Sequence, residues 1–269
     1  NSYYDSRNNC NALIETSTNK LLKACASTVI PNGVVEIESS AFTGLSNFTS
    51  ISIPSSVTAI HSAAFNDCDG LTSSDIPSSV TVIDPNPFTN CDALATIKVD
   101  ANNSRYDSRN DCNAIIEKTT NTLVSGCKNT VIPRGIKVIG ASSFNCVSGL
   151  DSLKIPYGVQ EIGEHAFSYS SIRYIEIPNT INSIEYWAFG GCNELTTIVS
   201  KIKAPSTIYL NSSAFSGEYW NNGYYYRLTD VATLYVPKGA KDLYSQAYTW
   251  NEFSNIEEMS GDPLATPTL

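Results

Sequence analysis

Residues 53–77 read Ile53-Pro54-Ser55-Ser56-Val57-Thr58-Ala59-Ile60-His61-Ser62-Ala63-Ala64-Phe65-Asn66-Asp67-Cys68-Asp69-Gly70-Leu71-Thr72-Ser73-Ser74-Asp75-Ile76-Pro77, and the pattern then starts again. Pro31, Pro54 and Pro77 stand 23 residues apart; Pro133, Pro156 and Pro178 follow at 23 and 22, and Pro237 opens a last copy. Counted from each proline, aliphatic residues fall at +3 (Val34, Val57, Val80, Ile136, Val159, Ile181) and at +6 (Ile37, Ile60, Ile83, Ile139, Ile162, Ile184). An Ala-Phe step follows at +10 and +11, as Ala41-Phe42, Ala64-Phe65, Ala166-Phe167 and Ala188-Phe189, with Pro87-Phe88 and Ser143-Phe144 as variants. Cys68, Cys91 and Cys192 come at +14, and Leu71, Leu94, Leu150 and Leu195 at +17.

Before each proline, apolar and polar residues alternate, as in Ile51-Ser52-Ile53 and Leu153-Lys154-Ile155. That is the period of a half-buried strand. Proline has no N–H to donate and stops it. The Ala-Phe segment predicts a short helical or irregular corner, with Phe filling the interior. One such unit cannot bury its own apolar face, whereas stacked units share a core and pair their strands in a parallel ladder. The expected fold is a single repeat solenoid over residues 1–260, built mainly of short parallel strands.

A longer period of 102 residues overlies the short one: Tyr4-Asp5-Ser6-Arg7-Asn8 returns as Tyr106-Asp107-Ser108-Arg109-Asn110, and Cys10-Asn11-Ala12 as Cys112-Asn113-Ala114. Each block continues as an apolar run, a Thr/Asn turn and a second apolar run, which predicts inserted β-hairpins over 1–28 and 103–130. A hairpin centred on Ser17-Thr18 sets Cys10 opposite Cys25, and one centred on Thr119-Thr120 sets Cys112 opposite Cys127. Both pairs fall at hydrogen-bonded sites, where Cα atoms are widely spaced, so a disulfide and free thiols both stay open. A Tyr-rich insertion spans 216–231. Residues 261–269 lack periodicity and read as a loosely held tail. The polar cap that a solenoid end requires is expected around Trp250 and Phe253. Asn1 opens the chain without Met or a signal-like segment, which reads as a mature or trimmed form with an N-terminally open solenoid.

Composition narrows the function. Charged residues make up only 16% of the chain, and the net charge of −9 with pI near 4.7 opposes nucleic acid and anionic lipid as partners. No apolar run is long enough for a membrane span. The eight cysteines follow the repeat and form no Cys-x-x-Cys, so zinc and thioredoxin-type chemistry lose their signature, and the +14 thiols read as small core residues. His61 and His165 occupy different phases and read as solvated corner residues. Asp67-Cys68-Asp69-Gly70 lacks the remaining acidic positions of a calcium loop. No Gly-x-Ser-x-Gly, phosphate-cradling loop or Cys/His pair is present, so no catalytic residue, cofactor or metal is expected.

The repeat resembles the BspA-type leucine-rich repeats of bacterial surface proteins, whose units run Leu-x-x-Ile-x-Ile-Pro-x-x-Val-x-x-Ile-x-x-x-Ala-Phe-x-x-Cys. The resemblance covers most of residues 28–257. It implies a leucine-rich-repeat right-handed superhelix in a secreted or outer-surface protein, often lipid-anchored, that adheres to host matrix proteins or other cells. It carries over no catalytic residue, because its motif residues are core residues.

Two surfaces are candidate sites for a protein or glycan ligand on host or other cells. Outward strand residues of successive turns form one face, with Ser52, Asp75, Lys98, Lys154, Tyr174, Glu176 and Tyr235 as its main members; Lys154 and Glu176 are expected to neighbour across turns and form a local ion pair. The insertion supplies Tyr219, Trp220, Tyr224, Tyr225 and Tyr226, residue types that give large contact area at low entropic cost. The alternative is a structural spacer of a larger envelope protein with no ligand of its own.

Overall fold

The computed structural model describes residues 2–221 and 224–260, without the side chains of 218–226. The expected tail at 261–269 lies outside the described residues. The described residues pack as two compact units: residues 2–131 with 142–148, and residues 132–141 with the described residues of 149–260.

In the first unit, Tyr4–Asp5, Ala12–Glu15 and Lys20–Ala24 form an antiparallel meander. Its last strand also belongs to the solenoid, since Lys20 and Leu21 pair in parallel with Glu36–Ile37, followed by Ala59–Ile60 and Val82–Ile83. This ladder lies just after the proline, where the sequence shows no alternation; two-residue strands form there because the +6 isoleucines stack inward. The ladder before the proline joins Ser50–Ile51, Ser73–Ile76 and Thr96–Val99. The second meander comprises Tyr106–Asp107, Ala114–Glu117 and Thr122–Gly126.

The second unit repeats the two ladders. Val138–Ile139, Glu161–Ile162, Ser183–Ile184 and Tyr209–Leu210 form one. Ser152–Lys154, Tyr174–Ile177, Thr197–Ser200, Thr233–Val236 and Asn255–Glu258 form the other. Within the insertion, Glu218–Asn221 and Tyr224–Arg227 pair as a hairpin.

The core is the repeat's own phase pattern. Val34, Val57, Val80, Ile37, Ile60 and the ring of every Ala-Phe step from Phe42 to Phe189 are fully or almost fully buried. The rings line up in each unit, with centroids 5.0 Å apart for Phe42–Phe65, 5.3 Å for Phe65–Phe88 and Phe167–Phe189, and 5.2 Å for Phe189–Phe215. The corners are turns, and they carry their own inter-turn bonds, such as the Phe65 N–H to the Pro87 carbonyl at 2.9 Å and the Phe189 N–H to the Ala214 carbonyl at 2.8 Å. The +14 thiols donate into this stack: Cys68 to the Phe42 carbonyl at 3.2 Å, Cys91 to Phe65 and Cys192 to Phe167 at 3.0 Å each. Trp250 and Phe253, where a polar cap is expected, are buried against Phe215 at 5.5 and 5.1 Å. Beside them Asn255, Glu257 and Glu258 of the strand Asn255–Glu258 are exposed.

The four hairpin cysteines, Cys10, Cys25, Cys112 and Cys127, form no disulfide. A bulge explains why the hairpin pairs do not meet. Near the turn Glu15 faces Lys20 and Ile14 faces Leu21, but beyond the shift Leu13 faces Lys23 and Ala12 faces Ala24. Continued outward, that register sets Cys25 opposite Asn11, whose carbonyl its Sγ meets at 3.3 Å. The second hairpin bulges at the same place, between Ile115 and Ile116, and Cys127 meets the Asn113 carbonyl at 3.3 Å. One extra residue moves each thiol off its expected partner.

Candidate functional site

The strand face has the register that the repeat predicts. In the first unit Ser50, Ser73 and Thr96 align, as do Asp75 and Lys98. Ser52, Asp75 and Lys98 are all exposed, and with Asp100 they line a recess of about 540 Å³ floored by Ile53 and Ile76. Charges of both signs over an apolar floor suit a polar macromolecular partner better than a buried small molecule.

In the second unit one outward row runs Lys154, Glu176, Val199, Tyr235, Glu257. Lys154 is exposed and Tyr235 half-buried, but Glu176 is only 8% exposed. Its ion pair is with Lys201, and it accepts a 3.3 Å hydrogen bond from the Tyr174 hydroxyl. Burial, and then the Glu176 charge beside it, push the Tyr174 phenol up to about 12. Lys154 is therefore Glu176's neighbour in register, while the carboxylate is committed to Lys201. The backbone pairs Tyr219 with Tyr226 and Trp220 with Tyr225, next to Tyr224; the side chains of these five residues lie outside the described residues.

A further cluster involves His61. Its Nδ1 lies 2.9 Å from Asp84 and its Nε2 3.1 Å from Glu36, while the Lys20 ammonium lies 2.8 Å from both Glu36 and Glu38. The sequence reading leaves His61 a solvated corner, yet a signal was present: Glu38, His61 and Asp84 share phase +7 in three consecutive turns, which stacking brings together. Ligand atoms of Glu36, Glu38 and His61 lie within 4.8 Å of one another. The Lys20 ammonium fills the position a cation would take between the carboxylates, so the cluster is an internal ion network. Carboxylates can only accept, so both imidazole nitrogens are satisfied when His61 is protonated. Burial opposes that charge, but the hydrogen bonds to Asp84 and Glu36 outweigh it and raise the His61 pKa. The Lys20 contact, followed by His61, holds the Glu36 carboxyl below its usual range. Because the folded value for His61 exceeds its ordinary 6.5, its stabilising contribution is full below that pH and is lost as pH rises through the folded value. The urea midpoint is expected to fall as pH climbs from about 6 to about 8, and His61→Gln is expected to flatten that slope.

Two parallel ladders closed by stacked phenylalanine corners define a leucine-rich-repeat solenoid. The chain belongs to the BspA-type leucine-rich repeat family, whose model matches residues 19–121 and 114–251 in six copies. Among solved structures it is similar to a leucine-rich cell surface protein from Faecalibacterium prausnitzii, with 25% identity and a TM-score of 0.60 over 87% of this chain. The match spans 59% of that structure, less than two thirds of its length. The pneumococcal vaccine antigen PcpA shares the fold at 19% identity and a TM-score of 0.52, over 88% of this chain and 67% of PcpA. Comparison with curated proteins gives no match.

Proposed function

We propose that this chain is a non-enzymatic binding module of a secreted or outer-surface bacterial protein, adhering to host matrix protein, glycan or another cell through its strand face. The observation that carries the reading is the exposed set Ser52, Asp75 and Lys98 around one recess, with Asp75 and Lys98 paired in register. Support comes from family membership and from the cell surface description of the similar F. prausnitzii protein. Among the described residues no helix is long and apolar enough to cross a membrane.

Surface plasmon resonance over immobilised host matrix proteins tests this. Asp75→Ala and Lys98→Ala are each expected to weaken capture about tenfold, the size of one charge-assisted contact. Equal capture by both variants and the native chain would overturn the strand-face reading, and no capture of any matrix protein would favour a spacer.

A further inference from the structure

The corners of the second unit carry a surface that solenoid packing does not require. Nine and thirteen residues after the proline the backbone is left-handed in turn after turn. In the first unit those positions hold Ser40, Ala63 and Asn86, then Gly44, Asp67 and Asn90. These are small residues or ones that tolerate this region. In the second unit the corresponding residues include His165 (φ 55°), Tyr169 (φ 57°) and Trp187 (φ 52°). A bulky ring at positive φ costs backbone energy that Asn or Gly would avoid, and such strain gathers at functional positions.

The rings form one shelf. Trp187 lies 5.9 Å from both Tyr169 and His165 and 6.2 Å from Tyr186, with planes tilted by 49°, 50° and 35° respectively. Tyr169 is 58% exposed and Tyr186 43%. A glycine pair makes the floor: a Cβ on Gly190 would fall 2.3 Å from the Trp187 ring, and one on Gly191 2.5 Å from the Tyr169 ring. Beside Trp187 opens a cavity of about 470 Å³ whose polar lining includes Ser212, Arg227, Thr229, Thr249 and Glu252. Thr249 is buried at φ 67°, and its hydroxyl has no hydrogen-bond partner among the described residues. Arg227 is engaged by Asp230 at 3.1 Å.

We infer that this shelf and the adjoining cavity bind a neutral saccharide. A pyranose ring presents an apolar C–H face that lies on tilted aromatic planes, and a rim of hydroxyls that pairs with hydroxyl and carboxylate groups such as those of Thr229 and Glu252. An apolar peptide would leave the cavity's polar groups unpaired. A phosphorylated ligand meets an arginine already neutralised and a chain of net charge −9. The shelf is built from corner residues and shares none with the strand face, so this inference goes beyond the proposed adhesion and fails separately from it.

The test uses the full chain on an array of N-linked, O-linked and plant cell-wall oligosaccharides, followed by titration of the best-retained glycan by isothermal calorimetry, a readout that does not depend on the ring removed. Trp187→Asn and Tyr169→Asn remove the rings while keeping a residue suited to left-handed backbone, and circular dichroism confirms that each variant is folded. Each is expected to weaken glycan binding at least tenfold, and Glu252→Gln several-fold. The inference is overturned if the native chain retains no glycan, or if both ring variants bind as tightly as it does. Matrix-protein capture in the Asp75 and Lys98 variants is scored independently.

Discussion

Phe189→Ala is expected to lower the unfolding free energy by about 3–5 kcal/mol, the cost of removing a fully buried aromatic ring and leaving its cavity. Phe189 is 0% exposed and stacks between Phe167 and Phe215 with planes 1° and 7° from parallel. In a repeat array stability is a sum of turn and nearest-neighbour terms, so losing this ring weakens two interfaces at once. Chemical denaturation of the native and variant chains measures the loss. A change below about 1 kcal/mol would mean the ring stack is not the stabilising spine described above.

Gly217→Ala is the second large effect. Gly217 has φ 141°, a conformation that L-residues rarely adopt, and an added Cβ would fall 2.5 Å from the Gly191 backbone nitrogen and 2.9 Å from its Cα. The obstacle is backbone, so it cannot swing aside as the tip of a side chain would. Conformational strain and steric conflict together are expected to cost on the order of 3 kcal/mol. The conflict also displaces Gly191, on which Tyr169 rests. Thermal unfolding gives the stability loss, and the near-ultraviolet circular dichroism of the aromatic shelf is expected to change with it. An unaltered melting temperature would show that the two turns are not in this close contact.

Burial at fixed phase made much of the fold legible. Val57, Ile60, Phe65, Cys68 and Leu71 recur because each must face the interior in every turn, and all five are 0% exposed. Cross-turn neighbours such as Asp75 with Lys98 follow from the same period. Features that depend on local backbone choice stayed hidden. A strand register drawn outward from a turn cannot anticipate the bulge that separates Cys10 from Cys25, because the extra residue leaves no mark in the hydrophobic pattern. The left-handed corners are equally silent, since they accept Ser40, Ala63, Asn86 and Trp187 alike. The Glu176 commitment to Lys201 escaped because Lys201 lies past the end of its strand, where alternation no longer assigns a direction.

The thiols tucked into the corners bear on the chemistry the chain can survive. Disulfide exchange begins with thiolate attack, and burial pushes the Cys68 thiol up to about 11 while raising Cys91, Cys112, Cys127 and Cys146 as well. Cys25 behaves in the opposite way: it is exposed, and hydrogen bonds from Ser27 and Thr28 lower its pKa. Folding therefore withdraws these sulfurs from exchange, and the exposed Cys25 is the thiol expected to attack glutathione disulfide, forming the mixed disulfide and releasing reduced glutathione.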